Sequence, residues 1–137
     1  MGYALRMDEQ DLAIVKALVP VAWADGVFEE REREMVDAIL DAYRATDEEK
    51  AAIRDYAKSP RKLDDIDLTE LSADDRRVLL QHAVLLSFAD GTQSADELET
   101  LQALTRKLRI PDDEAQALLT AGAERARRYL HLIAKSA

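Results

Sequence analysis

The sequence predicts an all-α protein: a single domain over residues 1–137, with six to seven helices in two pseudo-symmetric three-helix halves around two apolar central helices. Three observations lead to this prediction. Ala, Leu, Glu, Asp and Arg dominate the 137 residues, whereas there are only four Gly, three Pro and no Asn, a composition that favours helices over hairpin turns. Apolar residues recur at helical spacing. The second half of the chain also repeats the pattern of the first.

The first half is predicted to contain three helices. Residues 8–24 are apolar on nearly all sides, which is typical of a helix at the centre of a fold. A one-sided surface helix follows the Asp25-Gly26 turn. Its predicted buried face consists of Val36, Ile39, Leu40 and Tyr43. A capping box at Thr46 opens the third helix, and Pro60 ends it, because the residue before a proline disfavours the α conformation.

The second half is predicted to follow the same plan after an acidic connector. Residues 59–72 form that connector, in which we expect one short helix. Ser72 then caps a second apolar helix, and a capping box at Ser94 opens a one-sided helix behind it. The last helix begins at about residue 112 and continues to the C-terminus, with a break near Gly122 as the alternative.

An internal repeat relates the halves at an offset of 65 residues. Trp23-Ala24-Asp25-Gly26 aligns with Phe88-Ala89-Asp90-Gly91, and the similarity spans about residues 12–57 and 77–122. Two copies are too few for a solenoid, which needs about three or more repeats to bury a continuous core. The repeat therefore predicts two halves packed around their central helices with approximate two-fold symmetry.

The Asp-Gly turns have a structural interpretation based on helix capping. Gly accepts the left-handed conformation that ends a helix, so Gly26 and Gly91 are predicted to be C′ residues. Glu97 is expected to accept a hydrogen bond from the Ser94 amide, and the Asp before each Gly to accept one from a nearby amide.

The same turns also allow a functional interpretation, a divalent cation held by carboxylate oxygens, with Ca²⁺ as the favoured ion. The candidate ligands are Asp25, Glu29, Glu32, Asp90 and Glu97. In the first copy Glu29 replaces the serine cap, so Glu32 is expected to be less engaged in capping. No His lies near either turn, which disfavours zinc and copper. The EF-hand pattern is excluded, because Val21 and Trp23 would occupy two of its ligand positions.

The chain resembles the tellurite-resistance TerB family over about residues 8–121. The resemblance rests on Ala24-Asp25-Gly26 with Glu32, Ala89-Asp90-Gly91 with Glu97, and Ile110-Pro111-Asp112-Asp113-Glu114. It implies a compact all-helical domain of two halves, with a non-catalytic accessory role in bacterial tellurite and stress resistance. It further implies bound metal and a protein partner associated with the membrane.

Composition excludes several other classes of function. A net charge of −9 argues against nucleic acid, because binding to phosphates needs a basic face. No uncharged stretch is long enough for a transmembrane segment, and no signal peptide is evident, so a cytoplasmic location is expected. We interpret the basic cluster of Arg125, Arg127 and Arg128 as a solvated helix end rather than a membrane-binding site.

No motif of a known catalytic type occurs, and the chain is predicted not to be an enzyme. His82, on the second central helix, is interpreted as a core residue bonded to a neighbouring group. The main alternative function is a metal-independent protein–protein interaction module, with a homodimer as one form of it. A hydrolase that uses a buried carboxylate pair has the least support.

Overall fold

The computed structural model of the protein describes residues 7–24 and 26–136, and the side chains among them up to residue 129. These residues form an all-α fold without strands, as predicted. The six α-helices are α1 (Glu9–Trp23), α2 (Glu30–Ala42), α3 (Asp47–Tyr56), α4 (Ala73–Ser87), α5 (Ala95–Lys107) and α6 (Asp112–Ser136).

The two apolar helices occupy the centre of the fold. α1 and α4 pack against each other. Each also contacts the other helices of its own half: α2 and α3 pack on α1, and α5 and α6 pack on α4. Leu18 of α1 and Leu80 of α4 are fully buried in the one apolar core that the helices share. The prediction that these helices are central is therefore confirmed.

Side-chain caps begin three of the helices, and all three were predicted from sequence. The Thr46, Ser72 and Ser94 hydroxyls each accept a hydrogen bond from the amide three residues on, at 3.0–3.1 Å. In return, an acidic side chain at that third position accepts from the amide of the cap residue. These reciprocal bonds satisfy amides that have no partner within the helix, and so they fix where each helix begins.

Of two predictions about irregular segments, the one for the connector was incomplete and the one for a continuous last helix is confirmed. The connector contains two short 3-10 helices, Leu63–Asp65 and Leu68–Glu70, rather than one short helix. α6 passes through Gly122 without the break that was the alternative. A single Gly inside a helix costs only about 1 kcal/mol, and here it allows α6 to lie close to Val84 of α4.

Several backbone features recur at the offset of 65 residues. α2 and α5 both have 13 residues and begin 65 positions apart, at Glu30 and Ala95. Two residues after the end of each helix lies an Arg with positive φ, Arg44 at 60° and Arg109 at 58°. The residue after each Arg donates its amide to the carbonyl five positions earlier, as in a Schellman motif. The two-fold arrangement of the halves in space stays a prediction.

The connector lies against α1 and α5. Its first 3-10 helix, Leu63–Asp65, contacts both of these helices. The Asp64 carboxylate lies 3.6 Å from the Lys107 ammonium of α5. The Arg76 guanidinium of α4 donates to the carbonyls of Leu68 and Leu108, at 3.0 and 3.3 Å, and so ties the connector to the second half.

The helices of residues 7–24 and 26–136 have no membrane-spanning character. None of these helices combines the length and the apolar character that crossing a bilayer requires.

Candidate functional site

The two Asp-Gly turns share a backbone pattern. The Gly26 amide donates to the Trp23 carbonyl and the Gly91 amide to the Phe88 carbonyl, both at 2.8 Å. The two glycines have φ of 92° and 101°, so the predicted positive φ is confirmed. Their assignment as C′ residues is wrong, however, because α1 ends at Trp23 and α4 at Ser87, and further tight turns precede each Gly.

Glutamates cap the helix that follows each turn. The Glu29 amide donates to Glu32 Oε1 at 3.0 Å, and the Ser94 amide donates to Glu97 Oε1 at 2.8 Å. The prediction for Glu97 is confirmed. The expectation that Glu32 is less engaged in capping is wrong. Its carboxylate accepts from the backbone amide of the cap residue, and Glu29 supplies that amide as well as a serine does.

Of the two turn aspartates, the structure describes Asp90. The Thr92 amide donates to Asp90 Oδ1 at 3.3 Å, which confirms the predicted bond from Asp90 to a nearby amide. Asp25, its counterpart in the first turn, lies outside the described residues.

The start of α2 and the second Asp-Gly turn border one cleft of about 160 Å³, whereas Ala24 and Gly26 of the first turn line a different cavity. The residues that line the cleft are Glu29, Arg31, Glu32, Ala89, Asp90, Ser94, Asp96 and Glu97. Glu32 and Glu97 also line a smaller cavity beneath, next to Val21 of α1 and Ser87 of α4. The C-terminal ends of the two central helices therefore lie together, an arrangement that the sequence left open.

Four of the five predicted ligands, Glu29, Glu32, Asp90 and Glu97, thus line one cleft. Sequence reasoning missed Asp96 and Arg31, which occupy equivalent positions of the repeat. The alignment at offset 65 pairs these two residues, and extending it one position from Glu32 and Glu97 would have found them. Arg31 matters chemically because its positive charge offsets part of the carboxylate charge.

The carboxylates of the cleft are not arranged as a ready-made metal centre. In the described part of the chain, which excludes Asp25, no three His, Cys, Asp or Glu side chains lie in a group that could hold a metal ion. Glu32 and Glu97 are held by the amides that they cap. The cleft is therefore an acidic surface with two fixed carboxylates.

His82 lies at a second concave surface, away from the cleft. Its Nε2 atom is 2.8 Å from the Tyr43 hydroxyl of α2, and the two rings meet edge to face with centroids 5.7 Å apart. Burial lowers the pKa of the imidazole, because desolvation disfavours the charged form. The predicted bond of His82 to a neighbouring group is confirmed, but its placement in the core is wrong, because the side chain is half-buried and lines an open groove.

Comparisons with known proteins add no relative to this description. No family model, no curated protein and no solved structure matches the chain.

Proposed function

We propose that the chain is a non-catalytic accessory domain of the TerB type, which acts through protein contacts in bacterial stress or tellurite resistance. It binds a divalent cation at the cleft between the start of α2 and the second Asp-Gly turn. One observation supports the cation above all: carboxylates from the start of α2, from the second Asp-Gly turn and from the start of α5 line the same cleft. The association with the TerB family rests on the two Ala-Asp-Gly motifs and their following glutamates.

Electrostatics gives the cleft a reason to bind a cation. Several carboxylates and one guanidinium face a small volume, so a divalent ion gains from their summed negative potential. A carboxylate has about four lone-pair sites, and a capping bond occupies one of them, so Glu97 retains capacity to coordinate an ion. Ca²⁺ suits such a site better than Mg²⁺ does, because it tolerates irregular sets of oxygen ligands.

Binding requires the carboxylates to move closer together than they are in the structure. The Asp90 side chain is exposed and lies in a turn, where small shifts disturb few packed atoms. Asp25, in the other turn, is the further candidate ligand. We therefore expect moderate affinity and an ion that orders the turns as it binds.

Thermal unfolding tests the proposal directly. Protein stripped with a chelator is titrated with Ca²⁺ and, separately, with Mg²⁺. An ion that binds only the folded state stabilises it by RT ln(1 + [L]/Kd), about 2.7 kcal/mol at 100 times Kd. We expect a saturable rise in the unfolding temperature with Ca²⁺, and a much smaller rise after Asp90→Asn, which keeps the side chain's size and its bond to the Thr92 amide.

A matched control is Asp113→Asn, an equally conservative change at an exposed position of α6 that does not line the cleft. It should leave the response to Ca²⁺ unchanged. A flat response of the wild-type protein to both ions would refute the cation site. The acidic side chains of the turns would then serve capping alone, and the metal-independent interaction module would be the remaining function.

A further inference from the structure

An open groove lies between α2 and α6, and both of these helices pack on α4. Its volume is about 510 Å³, which falls within the range of about 300–1,000 Å³ that is usual for small-molecule sites. The lining is largely apolar and includes Met35, Ile39, Leu85 and Ala126. Since Ile39 and Ala126 also belong to the core, a ligand in the groove would lie directly against the apolar centre of the fold.

The groove follows the two helices that form its walls. On α2 the lining residues extend from Met35 to Ala42, and on α6 they extend from Gly122 to Tyr129. Seven residues separate the ends of each run, and this length of α-helix spans about 10 Å, roughly the length of an extended hydrocarbon chain of eight carbons. The shape therefore favours a linear apolar ligand over a compact one.

The charge of the groove is unlike that of the rest of the chain. The protein has 28 Asp and Glu residues, yet none of the described residues that line the groove is acidic. Arg125 lines it and carries a permanent positive charge, because a guanidinium stays protonated at any ordinary pH. Among the described residues, no carboxylate forms an ion pair with Arg125. This guanidinium is therefore available to an anionic group of a ligand.

The other polar groups of the groove are neutral. The Tyr43 hydroxyl and His82 Nε2 are bonded to each other, and burial lowers the pKa of the imidazole, so that it is uncharged at pH 7. In either tautomer of His82 the pair keeps one polar hydrogen that it can donate. Arg125 is thus the only charged residue among the described residues that line the groove, which favours a ligand with a single anionic group.

We propose that this groove binds a free medium-chain fatty acid, whose hydrocarbon chain lies between α2 and α6 and whose carboxylate pairs with Arg125. The apolar lining and the length of the groove account for the chain, and the unpaired guanidinium accounts for the head group. No residue lines both this groove and the acidic cleft. The proposal therefore goes beyond the accessory role and does not depend on the cation.

Decanoate is the probe, and isothermal titration calorimetry measures its binding at physiological salt. EDTA is present throughout, so that the result does not depend on the cation site. From the affinity that ligands of this size reach per atom, we expect saturable binding with a Kd on the order of 100 μM. Hexanoate has the same carboxylate on a shorter chain and should bind about tenfold more weakly or less, because it buries less apolar surface.

Charge reversal tests whether Arg125 holds the carboxylate. Arg125→Glu should weaken decanoate binding about tenfold or more, because it replaces the attracting cation by a repelling carboxylate. Its matched control is Arg128→Glu, the same charge change at an exposed position of α6 that does not line the groove. Binding by this control should stay within about threefold of wild type.

Filling the groove tests where the chain lies. Ala38→Trp places a large side chain in the groove from an exposed position of α2 and should abolish binding. Its matched control is Ala52→Trp, the same change at an exposed position of α3 outside the groove, and it should bind as wild type does. Unchanged unfolding temperatures show that the variants fold.

The proposal is overturned if wild-type protein shows no saturable binding of decanoate at millimolar concentrations. It is also overturned if Arg125→Glu or Ala38→Trp binds decanoate as well as wild type does, or if hexanoate binds as tightly as decanoate. A wild-type dimer that Ala38→Trp dissociates would overturn it too, because a second copy of this chain would then occupy the groove. The response to Ca²⁺ affects none of these outcomes, so the two proposals fail separately.

Discussion

The two halves of the molecule differ most where their third helices meet the central pair. α3 stops at Tyr56, and the Trp23 indole donates a hydrogen bond of 2.9 Å to the carbonyl of Ala57, the residue that caps the helix end. In the second half, Phe88 replaces the tryptophan and has no donor. The residue aligned with Ala57 is Gly122. Its carbonyl needs no side-chain donor, because α6 continues there and its carbonyls accept hydrogen bonds within the helix.

The same local pattern of capping and turn residues therefore occurs beside two different surfaces. Both halves share their capping glutamates, positive-φ glycines and Schellman turns, so each half begins its second and third helices in the same register. The stop at Pro60 in one half and its absence in the other decide whether the chain turns back. The connector thereby lies beside α5, with an open cavity of about 630 Å³ between them, whereas the groove beside α2 is lined by residues of α2, α4 and α6.

The largest expected effect comes from enlarging Gly122. A Cβ atom at this position would stand 3.0 Å from Val84 Cγ1, closer than side chains normally pack. We expect Gly122→Leu to lower the free energy of unfolding by about 2–3 kcal/mol, since overpacking a tight contact commonly costs this much. Urea unfolding followed by circular dichroism measures the change.

The control for this prediction is Ala121→Leu, the same new side chain at the exposed neighbouring position of α6. It should change stability by less than about 0.5 kcal/mol. Equal stability of Gly122→Leu and Ala121→Leu would show that α6 has room to move away from α4. The close approach would then not distinguish the second half from the first.

A smaller effect, of opposite sign, is expected at the two Schellman turns. Arg44 and Arg109 have positive φ, which strains a residue with a Cβ atom but not a glycine. We expect Arg44→Gly and Arg109→Gly each to raise the free energy of unfolding by about 1 kcal/mol. Similar gains would support the equivalence of the two halves, as measured by urea unfolding.

Arg128→Gly is the control for these two substitutions, because Arg128 is an exposed residue inside α6, where glycine costs about 1 kcal/mol of helix stability. Destabilisation by Arg44→Gly or Arg109→Gly would contradict the prediction and show that the arginine side chain contributes more than the turn strain costs.

The smallest expected effect is on the pH dependence of stability, and it comes from His82. The aligned residue in the first half is Ala17, which has no titratable group. Burial holds the pKa of His82 below its unfolded value near 6.5, so the unfolded chain binds the proton more tightly than the folded protein does. The stability that this group contributes is complete above pH 6.5 and falls as pH drops below it. Wild type should therefore lose more stability between pH 7.5 and 5.5 than His82→Gln does.

Urea unfolding of both proteins at the two pH values checks this difference. Glutamine at position 82 retains polar atoms that can bond the Tyr43 hydroxyl, so loss of that bond alone does not produce the effect. Identical pH dependence in the two proteins would mean that His82 takes up its proton as readily in the folded state as in the unfolded chain.

Local chemistry made much of the fold predictable. The hydroxyl caps at Thr46, Ser72 and Ser94 set helix starts, because a cap forms between residues only three positions apart. Positive φ at the Asp-Gly turns followed from glycine's lack of a Cβ. The same rules missed Arg44 and Arg109, since arginine carries no local signal for the left-handed conformation and adopts it here to complete the Schellman hydrogen bonds.

The candidate site was predictable only in part. The sequence identified the carboxylates beside each turn, because the repeat pairs Glu32 with Glu97. It left open whether the two turns lie together, since that depends on how α1 and α4 pack. The presence of Arg31 and Asp96 in the same cleft depends on that packing too.

By itself, the sequence determined the helices, their caps and the two apolar segments that become the centre of the fold, all of which depend on interactions within a few residues or on hydrophobic periodicity. Only the tertiary structure decided that the start of α2 and the second Asp-Gly turn border one cleft and that a groove lies beside α2. These features join residues from distant parts of the chain. Their positions follow from the packing of α1, α4 and α6, where side-chain shape rather than local pattern selects the arrangement.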